Sequence, residues 1–367
     1  MAPDRFTYFC TSQETQTASS LGGLLPFDNH GKEREGLWWL DICDATELDI
    51  AAVARAVSMH PLTVEDVLLQ EPRQKIETFP GYYLISLRTL TSSFDEVSPK
   101  TTGDKHRSME DAMLSTTPAP TMLFILVFSH GAVTFSRSGC GHAERVRSRI
   151  SRLHDSSVLS SDWICYALLD DVVDSFAPHM ERTSAESECI QDQIFIARDD
   201  DMTPLMMRIY NIRKRINQLT HSLSGKSDVL NGFLKRCQNR RIANAFFPEF
   251  PEGDLVVYLS DVQDHLETIL AELSQLDEIT SRLQSNFLAQ TGVNNMRLSV
   301  RLNDGLSKVT ILATIFVPLH MVTGLFGMNV TVPGQDVESL AWFFGIVGVF
   351  IAVIIIACFT AVRLRLL

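Results

Sequence analysis

Apolar residues crowd into two stretches near the end of the sequence, and the two are patterned differently. Ala341 to Val362 carries no charge, and thirteen of its 22 positions are Ile, Val or Phe. At about 1.5 Å per residue this helix crosses a hydrocarbon layer of about 30 Å, and its apolar side chains favour insertion by about 4 to 8 kcal/mol. Val309 to Phe326 is interrupted by Thr310, Thr314, Pro318, His320 and Thr323. That pattern suits a helix with one face on lipid and another on water, with a buried core helix as the alternative. Between the stretches lie Gly327-Met328-Asn329 and then Val332-Pro333-Gly334-Gln335.

Upstream the pattern is that of a long amphipathic helix. Leu266, Ile269, Leu273, Leu276 and Leu283 recur at steps of three, four, three and seven, a narrow seam for a partner helix. Asp264, Glu267, Glu272 and Glu278 solvate the opposite face, and Gly292 is the soft point before the apolar stretch. A second stripe continues at the same spacing through Asn303, Leu306, Thr310, Ala313, Val317, His320 and Gly324. In a parallel ring of such helices these positions face the axis, narrowing a lumen at Leu306 and Val317 and wetting it at Asn303, Thr310 and His320. A monomer cannot form that lumen. Small residues that pack helices in lipid give the alternative reading.

The rest predicts an α/β domain followed by helices. Residues 1–36 read as polar and irregular. Strands are expected at Leu37 to Ile42, Gly81 to Leu90, and Met122 to Val127 continuing through Ala132 to Ser136, with helices at Leu48 to Val57 and Pro61 to Leu69. Residues 92–120, rich in Ser, Thr, Pro and charge, read as a flexible insertion in a sheet connection. Arg145, Arg147, Arg149 and Arg152 follow on one helix, as a solvated face or a phosphate patch. From Asp162 onward the pattern is helical, with boundaries at Pro178 and Pro204. The expected division is an α/β domain over 37–160, a helical part over 161–253, and a stalk helix over 254–305. A first span over 306–326, a loop over 327–340, a second span over 341–363 and a tail over 364–367 complete it.

Charge adds an orientation. Arg297, Arg301 and Lys308 precede the first span, Arg363 and Arg365 follow the second, and the loop has no Lys or Arg, so both termini are expected in the cytosol. Asp336 and Glu338 make the loop mildly acidic, which raises the local concentration of cations. A net charge of −12 argues against a nucleic-acid surface. Seven scattered cysteines without a CxxC pair indicate free thiols in a reducing compartment. Met1 to Leu40 lacks a secretory signal pattern. No phosphate-cradling glycine loop, nucleophile motif or His/Cys ligand spacing points to an enzyme.

Gly327-Met328-Asn329 at the end of the first span resembles the signature of the CorA magnesium transporter family. Ala313 to Leu319 and Thr323-Gly324-Leu325-Phe326 resemble its pore helix, and Val330 with Val332-Pro333-Gly334 resembles its fungal, aluminium-resistance branch. Tyr258 to Leu266 and Ser285 to Gln290 are similar to that branch's stalk. Trp39-Leu40-Asp41-Ile42, His60-Pro61-Leu62, Glu65-Asp66-Val67 and Lys75 are similar to the start of its cytosolic domain. The resemblance covers residues 37–365.

It implies a homopentamer with a funnel-shaped cytosolic domain, a pore lined by the first span, and the second span outside it against lipid. The expected cargo is Mg2+, which sheds its water reluctantly and so is taken as a hydrated ion. Side-chain oxygens of Asn329 and backbone carbonyls of Gly327 would receive it, while Met328 packs the turn. In the family, cytosolic Mg2+ bound between subunits holds the pore shut. Asp261 and Asp264 are the candidates here for that regulatory site, with Asp95 or Glu96 of a neighbour, and a solvated helix face is the alternative. His320 departs from the Thr or Asn typical of the family. An imidazole there faces the lumen, binding transition metals or making conduction pH-dependent, or packs against a neighbouring helix. Transport of Zn2+, Co2+ or Ni2+ and a non-conducting sensor or scaffold are the other functional readings, and plasma membrane and vacuole both satisfy the orientation.

Overall fold

The structure is a computed structural model that describes residues 5–21, 36–91, 120–137, 140–152, 159–196, 202–244, 252–328, 330, 332–334 and 340–363. The chain divides into two compact units. One comprises residues 1–197 and 203–284, and the other 198–202 and 285–367.

The first unit is built on a seven-stranded sheet. Its strands are β1 (Phe6–Cys10), β2 (Gln13–Ala18), β3 (Trp38–Cys43), β4 (Lys75–Phe79), β5 (Tyr82–Leu90), β6 (Pro120–Phe128) and β7 (Gly131–Ser136), in spatial order β2-β1-β3-β7-β6-β5-β4. The β3–β7 pair is parallel, Trp38 opposite Gly131 through Cys43 opposite Ser136, and every other pair is antiparallel. Helices α1 (Glu47–Ala56) and α2 (Pro61–Leu69) cover one face, where Ile50, Val53 and Val67 join Leu40, Leu84, Phe124 and Val133 in one core. β5 and β6 are buried on both faces, as their near-continuous apolar runs require.

Residues 6–18 correct the irregular reading of the N-terminal segment. Phe6, Tyr8 and Cys10 alternate inward with a period of two and pair with β3, Phe6 opposite Ile42. The pattern lasts only five residues, and its partner β2 is polar, so pairing rather than hydrophobic periodicity defines that edge. β4 also lies outside the expectation, because Lys75–Phe79 is only partly buried at the other edge. The expected continuous run after Met122 is instead a hairpin whose turn ends at Gly131. A Cβ there would lie 2.1 Å from the Trp38 ring, so only glycine admits the indole.

Helices α3 (His142–Ile150), α4 (Ser161–Asp174), α5 (Ala177–Ile196), α6 (Met202–Leu223) and α7 (Lys226–Asn244) follow. Arg145 and Arg149 of α3, with Arg152 just beyond its end, are exposed and Arg147 is half-buried, as a solvated face requires, while ion pairs occupy three of the four rather than leaving a phosphate patch. Arg145 pairs with Asp171, Arg147 with Asp41 and Arg149 with Asp170, at 2.7, 2.9 and 2.5 Å. Pro178 and Pro204 sit inside the first turns of α5 and α6, where proline costs no intrahelical hydrogen bond. α8 runs unbroken for 75 residues, Glu252–Phe326, through Gly292. Its predicted seam of Leu266, Ile269, Leu273, Leu276 and Leu283 is buried, together with Leu259, Val262 and Phe287.

The second unit holds the distal part of α8, from Ser285, and α9 (Ala341–Arg363). Gly334, at φ 96°, lies under Trp342, and a Cβ on it would come within 2.8 Å of the indole.

Candidate functional site

The α8–α9 hairpin presents two different faces. Ile311, Ile315 and Leu319 on α8 are half-buried, as are Ile346, Phe350 and Ile354 on α9, and Val322 and Phe326 line a groove with Trp342, Ile346 and Phe350. These positions mark the sides that the two helices turn toward each other. At about 100° per residue, the stripe Asn303, Leu306, Thr310, Ala313, Val317, His320 and Gly324 centres on the opposite side of α8. Every member of that stripe is exposed in the single chain, Leu306 at 64% and Val317 at 65%. The hairpin thus satisfies α8's apolar side with α9 and leaves the mixed stripe exposed, although Val317 and His320 also line a groove with α9.

The hydroxyls on α8 have a defined polarity. Thr310 Oγ1 donates to the Leu306 carbonyl and Thr314 Oγ1 to the Thr310 carbonyl, each at 2.8 Å. With their hydrogens committed to the backbone, these oxygens offer lone pairs outward, the polarity that the O–H groups of a hydrated cation need. Pro318 adds another acceptor, because it has no N–H to give the Thr314 carbonyl four residues back. His320 lies at one edge of the stripe. Its ring lines a groove of about 540 Å³ with Phe316, Thr323 and, from α9, Phe350 and Ile354.

α8 ends at the tripeptide. Gly327 N–H bonds to the Thr323 and Gly324 carbonyls at 3.1 and 3.2 Å, and Met328 N–H reaches the Leu325 carbonyl at 3.4 Å. Met328 at this helix end is 54% exposed. Asn329 lies outside the described residues, as do Asp336 and Glu338 of the loop and Asp95 and Glu96.

Asp261 and Asp264 stand three residues apart on α8, both exposed. Tyr258 stacks on Tyr166 of α4 at 5.4 Å and His265 approaches Asp174 at 3.8 Å, so α4 runs beside this stretch. Among the described residues no three His, Cys, Asp or Glu side chains come close enough to hold a metal ion. Among the described residues this stretch of α8 offers two exposed carboxylates, Asp261 and Asp264.

Buried polar groups that periodicity does not reveal hold the first unit together. Lys226 is fully buried, and its ammonium donates to Gln74 Oε1 at 2.9 Å, to the Ser222 carbonyl at 2.8 Å and to the Arg88 carbonyl, with the Phe176 ring 5.1 Å away. Burial pushes its pKa well below that of an ordinary lysine. His142 bonds through Nε2 to Thr89 and through Nδ1 to Asp171, at 2.5 and 2.6 Å. Burial lowers the His142 pKa although Asp171 opposes the shift. The Asp171 carboxyl is held low because hydrogen bonds from His142 and Arg145 outweigh the effect of its burial. The family-like positions also have structural partners here. Lys75 pairs with Asp66 at 2.8 Å, and His60 caps α2 through Nδ1 to the Leu62 N–H at 3.2 Å.

Residues 34–363 match the CorA-like Mg2+ transporter protein family. The chain belongs to that family. CorA-like proteins are transporters rather than enzymes, and both the long α8 and the α/β unit are in place here. The chain is 34% identical over 399 residues to the magnesium transporter ALR1 of Saccharomyces cerevisiae, covering 98% of this chain and 44% of that protein. ALR2 of the same yeast matches with the same identity and coverage. The chain thus spans less than half the length of these two relatives. The cobalt/magnesium transport protein CorA of Thermotoga maritima is 24% identical over 353 residues, 93% of this chain and 86% of that one. Among solved structures, the CorA magnesium transporter of Methanocaldococcus jannaschii superposes with a TM-score of 0.60 at 15% identity over 99% of both chains, which establishes a shared CorA fold.

α8 contains an 18-residue window long and apolar enough to cross a membrane, and none of that window is buried within the chain. α9 is helical over 23 residues, and its described apolar run covers Ala341–Ala357. The two fit a two-span membrane topology.

Proposed function

We propose that the chain is one subunit of a homo-oligomeric, passive divalent cation channel, with Mg2+ as its main cargo. The observation that carries this reading is the exposed stripe on α8, opposite α9 and carrying the outward lone pairs of Thr310. Several copies around one axis would bury that stripe against water rather than lipid, and five is the number the family resemblance implies. Lipid would then meet α9. The loop carboxylates Asp336 and Glu338 would concentrate cations at the mouth.

Selection falls to Gly327, Met328 and Asn329. A hydrated Mg2+ presents water hydrogens, so a ring of amide oxygens from Asn329 and carbonyls from Gly327 would accept them without stripping the shell. Magnesium flux into liposomes that carry the purified protein tests the assignment. Asn329→Ala is expected to abolish flux while the assembly keeps its mass, and undiminished flux from an intact assembly would remove the filter role.

Closure by cytosolic Mg2+ is assigned to Asp261 and Asp264. Each chain supplies two carboxylates, and a hard cation needs more oxygens, so the remaining ligands would come from a neighbouring subunit or from water. Asp261→Ala is expected to raise the Mg2+ concentration that halves the flux, and an unchanged inhibition curve would count against this site.

A second reading rests on His320, whose imidazole is a ligand for Ni2+, Co2+ or Zn2+ rather than Mg2+. Competition of these ions against Mg2+ in wild type and His320→Asn separates the two cargo classes.

A further inference from the structure

A polar groove lies in the first unit, between the edge strand β4 and α7, and its shape follows from one glycine. Gly232 sits over Ile76, where a Cβ would come within 2.5 Å of Ile76 Cγ2, so helix and strand pack closely there. Thr78 lies two residues further along the same face of β4. Lys235, Arg236 and Asn239 occupy the next turns of the Gly232 face of α7, at the 3.6-residue period. These five residues line a groove of about 580 Å³, within the range of about 300–1,000 Å³ typical of small-molecule sites.

The chemistry of the lining has one sign. Arg236 is half-buried, its guanidinium stacked 4.2 Å over the ring of the fully buried Tyr83 and its NH1 3.5 Å from Thr78 Oγ1. Stacking fixes the plane of the guanidinium, and with NH1 donating to Thr78 the Nε–NH2 edge is the one that can form a fork. Lys235 is exposed beside it, and Thr78 and Asn239 add a hydroxyl and an amide. Among the described residues the lining holds no carboxylate. The nearest acid along β4, Glu77, points to the other face, where it pairs with Lys75 at 3.1 Å. In a chain of net charge −12, two cations converging without an acid between them form a local exception.

From this groove we infer a binding site for a phosphorylated small anion, in which the Arg236 fork takes two oxygens of one phosphoryl group and Lys235 the next. A planar fork beside a point charge favours a di- or triphosphate over a single carboxylate. The site is separate from the stripe on α8, and its fate does not depend on whether the chain transports ions.

Titration calorimetry of the full-length protein in detergent tests it, with inorganic pyrophosphate, ATP and sulfate as separate titrants in magnesium-free buffer. Pyrophosphate and ATP are expected to bind saturably, one per chain. Lys235→Gln and Arg236→Gln are each expected to weaken binding by about tenfold, as loss of one charge-assisted contact does. Lys235 is exposed and needed for no packing contact, so its variant keeps the test interpretable if Arg236→Gln unfolds. No heat with wild type at millimolar pyrophosphate, equal affinity for sulfate, or equal affinity in wild type and Lys235→Gln would each overturn the assignment.

Discussion

Gly131 admits the Trp38 indole to the β3–β7 junction because it has no Cβ. Gly131→Ala must displace that ring, and overpacking of this kind costs about 1–3 kcal/mol. A lower thermal midpoint of the detergent-solubilised protein is the expected result, and an unchanged midpoint would show that Trp38 has room to move. His142 carries a pH prediction. Its folded-state pKa lies below the ordinary 6.5, so the unfolded chain binds the proton first and stability is greatest above that value. As pH falls through 6.5 and below, this contribution is lost. The midpoint should therefore decline between neutral and mildly acidic pH in wild type and decline less in His142→Gln. Neither residue was legible beforehand. Gly131 was hidden inside an expected continuous strand, and His142 stands alone in sequence, 53 residues from Thr89 and 29 from Asp171.

Elements were read with different success, and the reason is local. α2 was expected at Pro61 to Leu69 and occupies those residues, because Pro at its first position and His60 as its cap both act within a few residues. The buried seam of α8 was equally legible from its steps of three and four. Leu273, buried to 1% exposure at its centre, is expected to lose about 2–5 kcal/mol as Leu273→Ala, read as a fall in thermal midpoint. β1 and β2 escaped because an edge hairpin of five and six residues has too short a pattern, and its hydrogen-bond partner, β3, lies beyond residues 22–35. The acidic partners of the α3 arginines were illegible for a related reason: Asp41, Asp170 and Asp171 reach them only once the chain has folded.

At the scale of the whole molecule, the proposed lumen predicts an assembly. The particle solubilised in mild detergent is expected to have the mass of several chains, and chemical cross-linking of dilute protein should give a closed ladder ending at that number. A monomer that still carried Mg2+ flux would remove the shared lumen. The Gly327-Met328-Asn329 tripeptide, the two apolar stretches and the α8 stripe were all readable as one-dimensional signals, since helix periodicity and transfer free energy depend on neighbours a few residues away. These features by themselves determined family, helical plan and candidate pore positions. Only the tertiary structure decided that α9 covers the side of α8 opposite the stripe, that the α3 arginines are ion-paired, that Lys226 and His142 are buried polar anchors, and that Lys235 and Arg236 flank a groove with no acid among its described lining residues. Each of these depends on which distant residue fills the space beside a side chain. Burial and ion pairing act through space, and the linear order of residues carries no record of that distance.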